Sequence, residues 1–114
     1  MATTINRDEL KQKMDRELPF ILVEALSPEQ YRTAHLPTAI NVPADRVKEL
    51  APKLLPDRQQ DIVVYCASST CNAAENAARE LRQMGYENVR RYAGGKQDWA
   101  EAGLPLQGEQ KHAA

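Results

Sequence analysis

Cysteine is scarce in this chain, and glycine, histidine and aromatic residues are sparse as well. Two Cys, five Gly, two His, one Trp and one Phe stand among 114 residues. Two cysteines, Cys66 and Cys71, are too few for a disulfide scaffold, and the loop they would close is too small to stabilise much. The two histidines, His35 and His112, lie far from that pair in sequence, so no convincing zinc-ligand set exists and no metal is expected. Charge of one sign is also missing: 15 basic and 16 acidic residues, well mixed, leave a net −1. Without a basic stripe or polybasic run, nucleic acid and the membrane surface are not expected as partners. Apolar runs such as Phe20 to Val23 are far too short to span a bilayer. The N-terminus, with Asn6, Arg7, Asp8 and Glu9, lacks the apolar core of a signal peptide, so a cytoplasmic location is expected.

What is present is a chain long enough for one real core but not for two. Residues 1–106 read as a single domain, and residues 107–114 as a mobile polar tail. The central stretch runs from Ile62 to Asn72. Four residues suited to a buried strand lead into Cys66, a short loop of small and hydroxyl residues follows, and Ala73 to Met84 has a helical pattern. In that helix Ala74, Ala77, Ala78, Leu81 and Met84 make a narrow face of small side chains that allows close packing on a sheet.

Before it, Thr3-Thr4-Ile5 reads as a short edge strand. Asn6 caps a helix to about Glu17, with Asp8 and Glu9 in its first turn. Phe20 to Val23 reads as a strand covered on both faces. Ser27-Pro28 opens a short helix. Ile40 to Val42 lies in a very short strand. The apolar spacing from Ala44 to Leu55 is helical and broken near Pro52. After Gly85 come a strand over Asn88 to Tyr92, a Gly94-Gly95 turn and a last helix from Lys96 to Ala102. Strands and helices alternating at this rhythm point to a small α/β domain with a mainly parallel sheet, whose ligands bind at the carboxyl ends of strands. Cys66 falls at such an end.

A thiol there has chemistry available to it. The N–H groups of the loop and the dipole of the following helix favour an anion, by up to about 2 kcal/mol for a partly buried helix terminus. Cys66 is therefore expected to titrate below the ordinary thiol value of about 8.5. The bland reading is a buried, inert cysteine, which a strand-end position disfavours. Cys71, one loop away, has two readings as well: a small packing residue, or a thiol that resolves or accepts sulfur from Cys66. His35 beside Pro37 reads as a turn-holding histidine. Trp99 and Tyr92 read as packing aromatics. Lys96 is either solvated or a cation reaching the mouth of the site.

The chain resembles the rhodanese family of sulfurtransferases over nearly its whole length. Phe20 to Val23 with Glu24, then Pro28-Glu29-Gln30-Tyr31, His35-Leu36-Pro37 and Ala39-Ile40-Asn41-Val42-Pro43 look like the family's first signature. Val63-Val64-Tyr65-Cys66 resembles the strand leading to its catalytic cysteine. Gly85-Tyr86-Glu87-Asn88-Val89, Gly94-Gly95, Asp98-Trp99 and Ala102-Gly103-Leu104-Pro105 look like its closing signature. The resemblance implies a rhodanese-like α/β fold with helices on both faces of the sheet, and a sulfurtransferase needing no cofactor. Cys66 would take sulfane sulfur from a small donor (thiosulfate, polysulfide or persulfide), carry it as a persulfide and pass it to a thiol or protein acceptor. The anion-cradling loop would be Ala67, Ser68, Ser69, Thr70 and Cys71, six residues counted with Cys66. Phosphatases sharing the fold use a loop one residue longer that ends in arginine, and this chain has neither.

There are departures. Family members often carry glycine in mid-loop and arginine at the sixth position, where Ser69 and Cys71 stand here. Asp-Val-Arg on the first strand is replaced by Glu24-Ala25-Leu26, and a glycine after Pro37 by Thr38. Lost cations count against thiosulfate as donor. They also leave two alternatives: a non-catalytic rhodanese-fold module that binds a partner protein, or a thiol redox protein using the Cys66/Cys71 pair.

Overall fold

The computed structural model describes residues 3–109. Five strands, β1 (Thr4–Ile5), β2 (Ile21–Glu24), β3 (Ile40–Asn41), β4 (Ile62–Tyr65) and β5 (Val89–Tyr92), form one sheet in the order β1-β5-β4-β2-β3. Every pairing is parallel, as expected when each strand returns through a helical crossover. The helices are α1 (Arg7–Asp15), α2 (Pro28–Thr33), α3 (Val47–Leu54), α4 (Ala73–Gln83) and α5 (Gly95–Glu101), with a 3-10 turn over Ala44–Arg46 before α3. Among the described residues, no helix is long and apolar enough to cross a membrane.

Local signals set the starts of α1 and α2. Asn6 and Ser27 each accept the N–H three residues on, and Glu9 and Gln30 return the bond to the cap, so both helices open with a capping box. Pro28 occupies the first turn of α2, where its missing N–H costs nothing. One expectation is corrected here. Helix α3 runs through Pro52 rather than breaking there, because Val47, Ala51 and Leu55 are buried and their packing offsets the lost hydrogen bond. At the start of the polar tail, Gln107 exchanges two backbone bonds of 2.8 Å with His35, and Glu109 N–H donates to Arg32 O. The rest of that tail, 110–114, lies outside the described residues.

Strand alternation divides the core into two. Leu22, Val63, Tyr65 and Tyr92 point to one face with Leu10, Leu36 and Trp99. Val23, Ile62, Val64 and Cys66 point to the other, against Val47, Ala51, Ala77 and Leu81. Trp99 and Tyr92 are core aromatics, edge to face at 6.4 Å, with the indole N–H on Pro105 O. Cys66 thus faces the helix that follows it.

Candidate active site

The middle strand of the sheet ends at Tyr65, and Cys66 is the first residue beyond it. Its side chain is 2% exposed and completes the apolar row of Ile62 and Val64. The loop from Ala67 to Asn72 then leads into α4. Asn72 makes no side-chain cap, so the first N–H groups of that helix remain available to another acceptor.

The orientation of the loop peptides is set from a distance. Cys66 O accepts from Lys96 N–H and Ala67 O from Gln97 N–H, each at 2.8 Å. In a trans peptide the N–H points opposite to the C=O. Tying those two carbonyls to α5 therefore turns the N–H groups of Ala67 and Ser68 inward, toward sulfur. Gly95 makes the approach possible. Its φ is +70°, and a Cβ there would stand 2.7 Å from Cys66 O and 2.9 Å from Ser68 N. Sequence reading saw only a turn at Gly94-Gly95; the double glycine was the signal for a close backbone approach.

Both cysteines are free thiols, Cys66 buried and Cys71 partly exposed. They lie within hydrogen-bonding reach of each other. The Cys66 thiol also reaches Cys71 O at 3.5 Å. Burial pushes the Cys66 thiol up, its bond to Cys71 adds to that, and the N–H groups of Ala74 and Ala67 only partly oppose it. Burial works against the Cys71 anion too. There, however, the Cys66 thiol and the N–H groups of Ala67, Ala73 and Ser68 prevail, and the Cys71 thiol lies below its usual value. The lowering expected at Cys66 therefore falls on Cys71. The loop amides are also not all aimed at sulfur: Cys71 N–H goes to Ser68 O at 3.2 Å. The Ser68 and Thr70 hydroxyls bond each other at 3.1 Å on the exposed side. Ala73 and Ala74, which sequence reading placed only in the helix, contribute instead.

Beside the thiols lies a second constellation. Glu24, wholly buried, ends β2 in register with Tyr65. It accepts the Tyr65 hydroxyl at 2.7 Å and the Lys96 ammonium at 3.3 Å. Tyr65 oxygen in turn accepts Leu36 N–H. Burial pushes the Glu24 carboxyl up, and Tyr65 and Lys96 pull against it without reversing the shift. Lys96 is thus neither a solvated lysine nor a free cation over the sulfur: it is the partner of Glu24. His35 does hold a turn, with Nδ1 at 2.7 Å from Tyr31 O and its ring stacked on Tyr31 at 3.8 Å.

A groove of about 400 Å³ opens next to the loop, lined by Leu26, Pro28, Pro43, Ala44, Arg46 and Ala73 among others. Its cation, Arg46, is held by both oxygens of Glu49 at 3.0 Å. A larger hollow of about 540 Å³, with Asp61, Arg82 and Asn88 in its wall, lies at the opposite, amino ends of the strands. Parallel sheets bind ligands at their carboxyl ends, and the smaller groove, with Ala73 in its wall, lies on that side of the sheet.

Comparison with known proteins identifies the family of the chain. Residues 6–102 match the family model of the rhodanese-like domain. The chain is 36% identical over 78 residues to thiosulfate sulfurtransferase PspE of Escherichia coli, an alignment covering 68% of this chain and 72% of that protein. It is 39% identical over 85 residues to an HTH-type transcriptional regulator of Mycobacterium tuberculosis, covering 75% of this chain and 36% of the regulator. Against the larger relatives, then, the chain spans about a third of their length or less. Among solved structures, the BH2092 protein of Bacillus halodurans superposes with a TM-score of 0.91 at 26% identity, over 99% of this chain and 82% of that one. The parallel sheet, the cysteine at the end of its middle strand and the match over residues 6–102 together make this chain a member of the rhodanese-like domain family.

Proposed function

We propose that the chain is a sulfurtransferase that carries sulfane sulfur on Cys66. The observation that carries this reading is the Cys66 sulfur at a strand end, met by the N–H groups of Ala67 and Ala74. The Cys66 thiolate attacks the outer sulfur of a persulfide or polysulfide, and the donor's S–S bond breaks with the electron pair leaving on the shortened donor. A Cys66 persulfide anion remains, stabilised by the same amides. An acceptor thiolate then attacks the outer sulfur and restores the Cys66 thiolate. The sulfurtransferase PspE among the relatives supports the activity.

The donor class follows from charge. Two nearby cations are already paired, Lys96 with Glu24 and Arg46 with Glu49. The sulfur is therefore met by neutral amides, which suit a singly charged persulfide or polysulfide chain better than doubly charged thiosulfate. A thiol or a protein thiol is the acceptor, and the cytoplasm is the setting in which the two free thiols persist. Turnover from glutathione persulfide to a small thiol acceptor tests the reading. Cys66→Ser is expected to abolish it; transfer continuing at the wild-type rate in that variant overturns it.

A second reading, thiol redox chemistry of the Cys66/Cys71 pair, is favoured by the 3.5 Å approach of Cys66 Sγ to Cys71 O.

A further inference from the structure

Transfer through a single cysteine does not use Cys71, yet the loop is arranged around it. Cys71 is the more exposed of the two thiols, and Cys66 is almost sealed. Cys66 Sγ stands 3.5 Å from Cys71 O, so the sulfur lies against residue 71, and the N–H groups of Ala67, Ser68 and Ala73 hold the Cys71 thiol below its usual value. Those donors favour the anion on Cys71, and the approach of residue 71 to Cys66 Sγ puts that nucleophile within a side-chain rotation of the inner sulfur of a persulfide formed at Cys66.

We propose that Cys71 is the resolving thiol: its sulfur attacks Cys66 Sγ of the persulfide, forming the Cys66–Cys71 disulfide and expelling the outer sulfur as hydrosulfide. This rests on the Cys66 carrier reading and extends it. The balance is Cys66–S–SH plus Cys71–S⁻ giving Cys66–S–S–Cys71 plus HS⁻. One S–S bond forms as another breaks, and the sulfane sulfur is reduced by two electrons from the Cys71 thiolate and the Cys66 sulfur. A dithiol reductant, small or carried on a protein, then exchanges with the disulfide and leaves oxidised while both thiols are restored. The partner class is thus a dithiol, and the released product is sulfide. Attack on the inner sulfur, rather than transfer of the outer one to Cys71, follows from the 3.5 Å approach of Cys66 Sγ itself to residue 71.

The experiment adds glutathione persulfide to the reduced protein without oxygen or added thiol, and weighs the intact chain. The wild type is expected to lose two hydrogens and to release one hydrosulfide per chain beyond that seen with Cys71→Ser. Cys71→Ser, and Cys71→Ala as a second variant, are expected to gain one sulfur atom each and keep it; thermal unfolding checks that both fold. A wild type that keeps the added sulfur as these variants do overturns the resolving role and leaves the carrier role intact. An extra sulfur mapped to Cys71 in the wild type also overturns it. Variants that fold but gain no sulfur overturn the carrier role, and the resolving role with it.

Discussion

Two neighbouring strand ends in this molecule hold negative charge in opposite ways. At the end of β2, Glu24 is buried and answered by side chains, the Lys96 ammonium and the Tyr65 hydroxyl. One strand over, at the end of β4, the thiols are answered by peptide N–H groups. Adjacent residues of α5 serve the two. Gly95 leaves room for the loop carbonyls, and Lys96 sends its N–H to the loop but its ammonium to Glu24. A fixed cation suits a carboxylate that never leaves, whereas neutral dipoles suit a sulfur whose charge comes and goes. The lysine committed to Glu24 is also why the loop, lacking the arginine common in the family, has no replacement cation from this side.

Gly95→Ala strikes the sulfur side hardest. A Cβ meets backbone atoms on two sides in a left-handed conformation, so the loss is expected to reach about 3 kcal/mol from strain and overpacking together. Chemical denaturation measures it, and sulfur transfer is expected to fall at least tenfold. A loop that tolerates alanine with full activity would separate the amide orientation from the chemistry.

Lys96→Met strikes the other side. Leaving Glu24 without its cation is expected to cost about 2 kcal/mol near neutral pH, below the usual 3–5 because the carboxyl is free to take up a proton. The sign with pH is fixed by direction. Glu24 already titrates above its unfolded value, so its favourable contribution is complete below the unfolded value and is lost as pH rises through the folded one. Removing Lys96 raises the folded value further. The deficit of the variant is therefore expected to shrink as pH falls below that value, and denaturation midpoints across pH 4 to 8, roughly the range over which a buried carboxyl titrates, read it directly. A deficit that does not change with pH would mean that Lys96 acts through packing rather than charge.

Differential alkylation sharpens the comparison within the thiol pair. Cys71 is expected to react first, with its half-point lowered from that of an unperturbed thiol, and Cys66 later, with its half-point raised from it. Peptide mass mapping after brief iodoacetamide treatment assigns each site, and the reverse order would return the anion to Cys66.

The smallest effect lies outside both sites and serves as a control. Thr38 stands at φ 70°, where a β-branched side chain is strained. Thr38→Gly is expected to stabilise the fold by about 1 kcal/mol without changing alkylation rates. Thermal unfolding checks the first point and iodoacetamide the second.

Much of this was legible in the chain itself. Ile62 to Tyr65 is a continuous apolar run that had to be a covered strand, and a cysteine directly after it had to fall at the carboxyl end. Asn6 and Ser27 announced their helices by capping chemistry confined to four residues. What could not be read depended on partners far along the chain. The direction of the Ala67 and Ser68 N–H groups is set by α5, about thirty residues later, so the loop sequence alone could not say which sulfur they serve. Glu24 and Lys96 meet across 72 positions, and no local pattern marks either as the other's partner. Pro52 inside α3 is the same kind of miss: tertiary packing overrode a local breaker.

The most direct measurement follows the sulfur atom itself. Cys71→Ser protein, whose sole thiol is Cys66, is loaded with glutathione persulfide, freed of donor by gel filtration, and then given an excess of a small thiol acceptor. The chain is expected to carry one added sulfur before the acceptor and none after it, with the missing atom recovered as acceptor persulfide or sulfide. A correctly folded chain that never gains the sulfur, or that gains it and cannot give it up, contradicts a sulfur carrier at Cys66.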